Sequence, residues 1–275
     1  MSALKNEPFA PPPKTVFDVD IDGDQAQFFA DNGYLAIGRV TTDEELAWLS
    51  DVYDELLARP MSGYPDTYYD AVRPYGVRDA PILGQLLFPE QRVPAMERTA
   101  LWRNAHRIAQ RLLKLPASKI ESWGHIVHKP AHHGAATPWH QDEAYWGPEL
   151  SYYAVGSWLP LDDVYPENGC MWFLPGSHLK PILRHRHMND DPAIAVLELV
   201  DQLDASAAVP VPLPAGGMSF HHPRTLHYAG PNTTDKARRA WANEYQSAPI
   251  MLEVPADRPW VIEGRKAMAK GLVAS

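Results

Sequence analysis

Twenty-seven prolines are spread along this 275-residue chain, and they favour many turns and short strands over long helices. From about Ile120 the texture is one of short β-like segments split by Pro, Gly and Asn: residues 120–128, 139–142, 153–159, 170–174, 217–220, 225–228 and 239–246. Many short strands with irregular loops fit a sandwich or jelly roll. The N-terminal third reads differently. A short helix is expected over 25–32, capped by Asp24 and ended by Gly33, followed by a strand over 34–40. Thr42 and Glu45 have capping-box spacing, and Leu46, Leu49, Tyr53 and Leu56 then form a helical stripe. A second long helix is expected over 94–114, with Leu101, Ala105, Ile108 and Leu112 on one face. The fold class is therefore mainly β with flanking helices: one domain over 17–275, whose α-helical N-terminal third packs on a jelly-roll barrel. Residues 1–16, with Pro8, Pro11, Pro12 and Pro13, read as an extended N-terminal arm.

Bulk properties exclude several classes. The chain is 45% hydrophobic and 21% charged, as a soluble globular protein with a sizeable core should be. A net charge of −9 leaves no basic footprint for nucleic acid or an anionic membrane. The basic run Arg184-His185-Arg186-His187 reads as a solvated loop. A single cysteine permits no intrachain disulfide and fits a reducing cytoplasm, and Cys170 among Gly169 and Met171-Trp172-Phe173 reads as a small buried residue. No signal-peptide layout or membrane-length apolar run is present, so a cytoplasmic monomer or homodimer is expected. Asp18-x-Asp20-x-Asp22-Gly23 opens like a calcium loop, but Phe29 stands where the bidentate Glu is needed, so calcium is rejected.

Trp139-His140-Gln141-Asp142 carries the chemistry. In an extended segment, residues i and i+2 share a face, so His140 and Asp142 can grip one metal from one strand. His227 is the best third ligand for a two-His-one-carboxylate facial triad, which leaves coordination positions open. Zinc hydrolases also use His/His/acid sets, but their frequent helical His-Glu-x-x-His pattern is missing. Eleven residues past His227 stands Arg238, a cation suited to holding a carboxylate by two parallel hydrogen bonds. Strand alternation sends Arg238 and Arg239 to opposite faces, so only one points inward.

The chain resembles the phytanoyl-CoA dioxygenase family, which includes the ectoine hydroxylases. The resemblance runs from about Phe28 to Gln246. It is carried by Asp31-Asn32-Gly33-Tyr34, Lys129-Pro130, His140-Gln141-Asp142, Trp158, Glu167-Asn168-Gly169, Leu174-Pro175-Gly176-Ser177-His178, His227, Asn232 and Arg238-Arg239. It implies a cupin-like double-stranded β-helix and an iron(II), 2-oxoglutarate-dependent dioxygenase that consumes O2. It also implies that His140, Asp142 and His227 bind iron, that Arg238 binds the far carboxylate of 2-oxoglutarate, and that Trp158 borders it. His125, which shares a strand face with Trp123 and Val127, is a further candidate for the co-substrate region. Ala229 stands where relatives often have Ser. Iron halogenases of related architecture replace the acid with a small residue; with Asp142 present, hydroxylation of an unactivated C–H bond is expected.

Trp123, Trp139, Glu143, Tyr145 and Trp146 are expected in the substrate pocket, with Tyr152 as a further wall. Such aromatic walls suit a small or medium organic metabolite. Residues 59–84 and 188–210 are long enough to act as lids. His132, His133, His221 and His222 are expected in loops or facing solvent, and His178 in a structural turn. The competing readings are a metal-dependent hydrolase or isomerase and a non-catalytic small-molecule binding protein, both on a cupin-like barrel.

Overall fold

Every strand expected after Ile120 forms close to its place; further short strands form as well, one of them over His185–His187 in the basic run expected as a solvated loop, where both histidines are buried. The computed structural model describes residue 9 and residues 11–58, 67–75, 77 and 79–273. Residues 1–8 and 10 of the expected arm, and 59–66, 76 and 78 of the first expected lid, lie outside the described residues. In chain order the strands are β1 (Tyr34–Arg39), β2 (Tyr68–Asp70), β3 (Gly84–Leu87), β4 (Glu121–Lys129), β5 (Thr137–His140), β6 (Leu150–Ser151), β7 (Ala154–Pro160), β8 (Met171–Phe173), β9 (His185–His187), β10 (Leu197–Leu199), β11 (Val209–Val211), β12 (Gly217–His221), β13 (His227–Ala229), β14 (Arg238–Gln246) and β15 (Ile250–Met251). A seven-stranded sheet has the order β1-β12-β7-β14-β4-β3-β2, and a four-stranded sheet the order β11-β8-β13-β5. All their pairings are antiparallel. Tyr34, Trp158, Phe173 and Ala240 bury against one another between the two sheets, and the rings of Tyr34 and Phe173 stack at 4.9 Å. This is the double-stranded β-helix.

Strand β14 sits at the centre of the large sheet, paired along its length with β4 and β7. Its odd residues Trp241 and Tyr245 enter the core shared with the helices, while Arg238, Ala242 and Glu244 line the barrel cavity. The helices are α1 (Gly23–Asn32), α2 (Asp43–Ala58), α3 (Pro89–Arg92), α4 (Ala100–Leu113) and α5 (Pro259–Val273). The stripe of α2 and that of α4 meet on the outer face of the sheet, where Tyr53 Oη donates to Val127 O at 2.9 Å. No described helix is long and apolar enough to cross a membrane.

Two helix boundaries differ from expectation. Asp22, not Asp24, caps α1, because its carboxylate accepts from Gln25 N at 2.8 Å while Gln25 Oε1 accepts from Asp22 N. The expected 94–114 helix is broken: Pro94–Arg98 is a 3₁₀ turn, and Thr99 is extended so that its Oγ1 can cap α4 through Trp102 N. The other residues of the rejected calcium loop also have structural partners, since Asp18 pairs with Arg107 and Asp20 with Arg111.

Glu45 ties this helical layer together. Its carboxylate is fully buried and accepts from Thr41 Oγ1 (2.7 Å), Thr15 Oγ1 (3.0 Å), Ala100 N (2.7 Å) and Leu101 N (2.8 Å). An anion at the N-terminus of α4 satisfies two orphan amides and complements the helix dipole. Glu45→Ala should therefore cost about 2–4 kcal/mol, as expected when charge-assisted bonds are lost and buried donors are orphaned. Urea unfolding of the variant beside the parent checks this.

Candidate metal centre

His140 ends β5 and His227 opens β13, and the two residues lie directly opposite in the antiparallel register. Each Nδ1 faces a backbone carbonyl, Pro138 O at 2.7 Å and Thr225 O at 2.9 Å. A carbonyl only accepts, so each Nδ1 carries the proton and each Nε2 presents a bare lone pair. Both Nε2 atoms stand 3.4 Å from Asp142 Oδ1. Two bare nitrogens and a carboxylate oxygen converging in a buried site are a donor set that a divalent cation completes, with the outer hydrogen bonds fixing ring orientation. The residues present thus fit an iron(II) ion.

Asp142 does not lie in the strand with His140. The strand stops, and Asp142 starts a 3₁₀ turn over Asp142–Tyr145. The i, i+2 argument still works because Gln141 between them is extended, at φ −124° and ψ 130°. Gln141 is locked by its side chain, which accepts from Leu183 N and donates to Arg224 O, both at 2.8 Å.

The other oxygen of Asp142 is held by His221, whose Nε2 lies 2.7 Å from Oδ2. His221 is buried at the end of β12, which corrects its expected place in a loop. Strand parity was the available signal: Gly217, Ser219 and His221 share one face. Burial disfavours a charged Asp142, but the surrounding histidines, His227 and His221 foremost, outweigh it and hold the carboxyl well below its usual range. Burial pushes His140 down, and the neighbouring His227 adds to this, keeping the ring neutral for ligation.

Behind the triad is a chamber of about 90 Å³ that reaches Arg238, which is 1% exposed. Its guanidinium lies 5.3 Å from the ring centre of Trp158, and among the described residues Nε and Nη1 have no hydrogen-bond partner. Among the described residues no carboxylate pairs with it. Burial lowers its pKa to about 10. Arg239 points the other way, to Asp162 at 2.8 Å and Asp54 at 2.9 Å. His125 lines the same chamber, and burial pushes it down to about 4.

A second cavity of about 550 Å³ opens from the metal side. Trp123, Tyr145 and Trp146 line it, as do Tyr69 and Tyr75 from the first expected lid and Ala195 and Val196 from the second. Three expected wall residues stand elsewhere. Glu143 is buried in ion pairs with Arg224 (2.7 Å) and Arg258 (2.8 Å), so its carboxylate braces the turn beside Asp142. Trp139 has the opposite parity to His140 and stacks on Tyr228 at 5.5 Å. Tyr152 packs edge-on to Trp146 and donates to Gly147 O. Glu244, which the sequence reading passed over, lines both cavities. Burial, and then the charge of Asp142, push its carboxyl well above the usual range. His178 is structural, bonded to Ala30 O.

Fold and site together define the class of iron(II)- and 2-oxoglutarate-dependent oxygenases. Residues 29–240 match the model of the Phytanoyl-CoA dioxygenase (PhyH) family, and the chain belongs to that family. EvdO2 from Micromonospora carbonacea var. aurantiaca superposes with a TM-score of 0.79 and is 37% identical, over 89% of this chain and 98% of that one. The same protein complexed with 2-oxoglutarate gives 0.77 and 35% over the same shares. Phytanoyl-CoA dioxygenase domain-containing protein 1 of Rattus norvegicus is 31% identical over 118 residues, 42% of this chain and 40% of that protein. The matched stretch thus spans about two fifths of that curated relative's length.

The histidines give the fold an acid limit. Burial pushes His106, His125, His128, His185 and His222 down to about 4 each. The unfolded chain takes up these protons near pH 6.5, the folded chain only near pH 4. Their contribution to stability is present above about pH 6.5 and is lost as the pH falls toward about 4. The melting temperature of metal-free protein should drop across that window; a flat profile there would contradict these burial environments.

Proposed function

We propose that this protein hydroxylates an unactivated C–H bond of a small or medium organic metabolite, consuming O2 and 2-oxoglutarate and releasing succinate and CO2. The observation that carries this reading is the shared chamber: the triad and an unpaired, buried guanidinium face the same small space. In it, His140, Asp142 and His227 hold iron(II), and Arg238 holds the far carboxylate of 2-oxoglutarate by charge-assisted bonds, with Trp158 beside it. Bound iron supplies oxygen activation coupled to oxidative decarboxylation of the co-substrate. The protein's own part is to bind, orient and exclude water. The 2-oxoglutarate bound in the EvdO2 crystal structure supports the co-substrate. Ala229 lines the chamber and gives it no hydroxyl. Asp142 fills the position a halide would need.

A metal-dependent hydrolase is the second reading, because Glu244 stands near the metal where a general base would act. Such an enzyme has no use for an unpaired Arg238 and would ignore 2-oxoglutarate.

Anaerobic addition of iron(II) and then 2-oxoglutarate should produce the weak visible charge-transfer band of the chelate. His140→Ala and Asp142→Ala should abolish it, and Arg238→Ala should raise the 2-oxoglutarate concentration needed by roughly tenfold or more. Arg239→Ala should leave that concentration unchanged. Iron binding without a band would move the assignment to the hydrolase.

A further inference from the structure

The two cavities meet at six residues: Gln85, His125, Thr137, His140, Asp142 and Glu244. Every one is polar. Beyond this collar the larger cavity is walled chiefly by aromatic rings, among them Tyr69, Tyr75, Phe88, Trp123 and Trp146, with no Lys or Arg among the described residues that line it. A molecule filling it meets mainly ring surface, with the carboxyl and imidazole groups gathered at the end presented to the metal.

Glu244 is the unusual member of the collar. It is 7% exposed, and its Oε2 has no hydrogen-bond partner among the described residues. Among its neighbours, His221 and Gln85 each have another partner, whereas His125 Nδ1, like Glu244 Oε2, has none among the described residues. His221 spends Nε2 on Asp142 at 2.7 Å, a direct hydrogen bond that leaves no room for a second cation between them. Gln85 accepts from Tyr69 Oη at 2.8 Å. A buried carboxylate oxygen left unpaired costs stability, so its presence is not explained by the fold. A group on the substrate that donates a hydrogen bond removes that cost, whereas an anion there would meet the carboxylate of Asp142 in the same collar.

We propose that Glu244 anchors the substrate by accepting a hydrogen bond from an O–H or N–H group close to the carbon presented to the metal. The site thereby selects donor-bearing molecules and rejects anionic ones. This inference rests on the oxygenase reading for the identity of the reacting carbon, but the binding itself needs no metal.

The test therefore uses the full chain without metal. Matched trios of probes, each an alcohol, an amine and a carboxylate on one ring skeleton, run from benzyl alcohol, benzylamine and benzoate to two-ring analogues. Binding is read from quenching of the cavity tryptophans Trp123 and Trp146 and by ligand-observed NMR. At least one alcohol or amine should bind the parent tenfold or more tightly than its carboxylate twin. Glu244→Ala should lose that preference while keeping the anaerobic 2-oxoglutarate band. Glu244→Gln, whose amide oxygen still accepts, should keep alcohols and lose amines, which tells the two donor types apart. Both variants should melt at or above the parent temperature. The proposal is overturned if no donor probe prefers the parent over Glu244→Ala, if carboxylates bind as well as donors, or if Glu244→Gln melts clearly lower. Loss of the band in the parent would instead count against the oxygenase reading.

Discussion

The carboxylate of Asp142 divides its two oxygens, and the geometry of the centre depends on that division. One oxygen meets the bare Nε2 atoms of His140 and His227 at 3.4 Å; the other is held by His221 at 2.7 Å. An unrestrained carboxylate could rotate and offer either oxygen. Here the turn beneath it is braced by Glu143 against Arg224 and Arg258, and by Trp260 Nε1 donating to Ala144 O at 2.9 Å. The C-terminal helix α5, although far along the chain, thus serves the metal site. The pairing of β5 with β13 does the rest by setting the two histidines face to face.

Strand β14 joins the centre to everything around it. Its odd face builds the helical core through Trp241 and Tyr245, which gives the strand a fixed register. That register aims Arg238 into the smaller chamber behind the triad and Glu244 at the collar it shares with the larger cavity. Ala242 between them keeps the space open. A slip of one residue would replace Arg238 with Arg239 and exchange cavity-lining side chains for core ones. An unpaired guanidinium and an unpaired carboxyl, toward opposite ends of the same strand face, give the two cavities different polar chemistry.

Local pattern made part of this readable. A spacing of i, i+2 picked out His140 and Asp142, and alternation limited Arg238 and Arg239 to one inward candidate; the burial of Arg238 shows which. What failed were inferences from adjacency alone. Glu143 follows the triad acid in sequence, yet its partner Arg258 lies 115 residues away and could not be foreseen from spacing. His221 was hidden by its neighbour His222, since a His-His pair beside Pro223 looks like a loop. Glu244 was readable in principle, being an acid on the inward parity of Arg238, but an unpaired buried acid contradicts the ordinary rule that charges lie outside. The broken helix at Thr99 has the same lesson: the apolar stripe continued, but the cap decided the boundary.

The central claim concerns where iron and 2-oxoglutarate sit. Anomalous diffraction at the iron edge, from crystals grown anaerobically with both, tests it most directly. The account predicts iron on His140 Nε2, His227 Nε2 and Asp142 Oδ1, with the far carboxylate of 2-oxoglutarate on Arg238. Iron lodged instead among Asp142, His221 and Glu244, or a co-substrate turned away from Arg238, would contradict it.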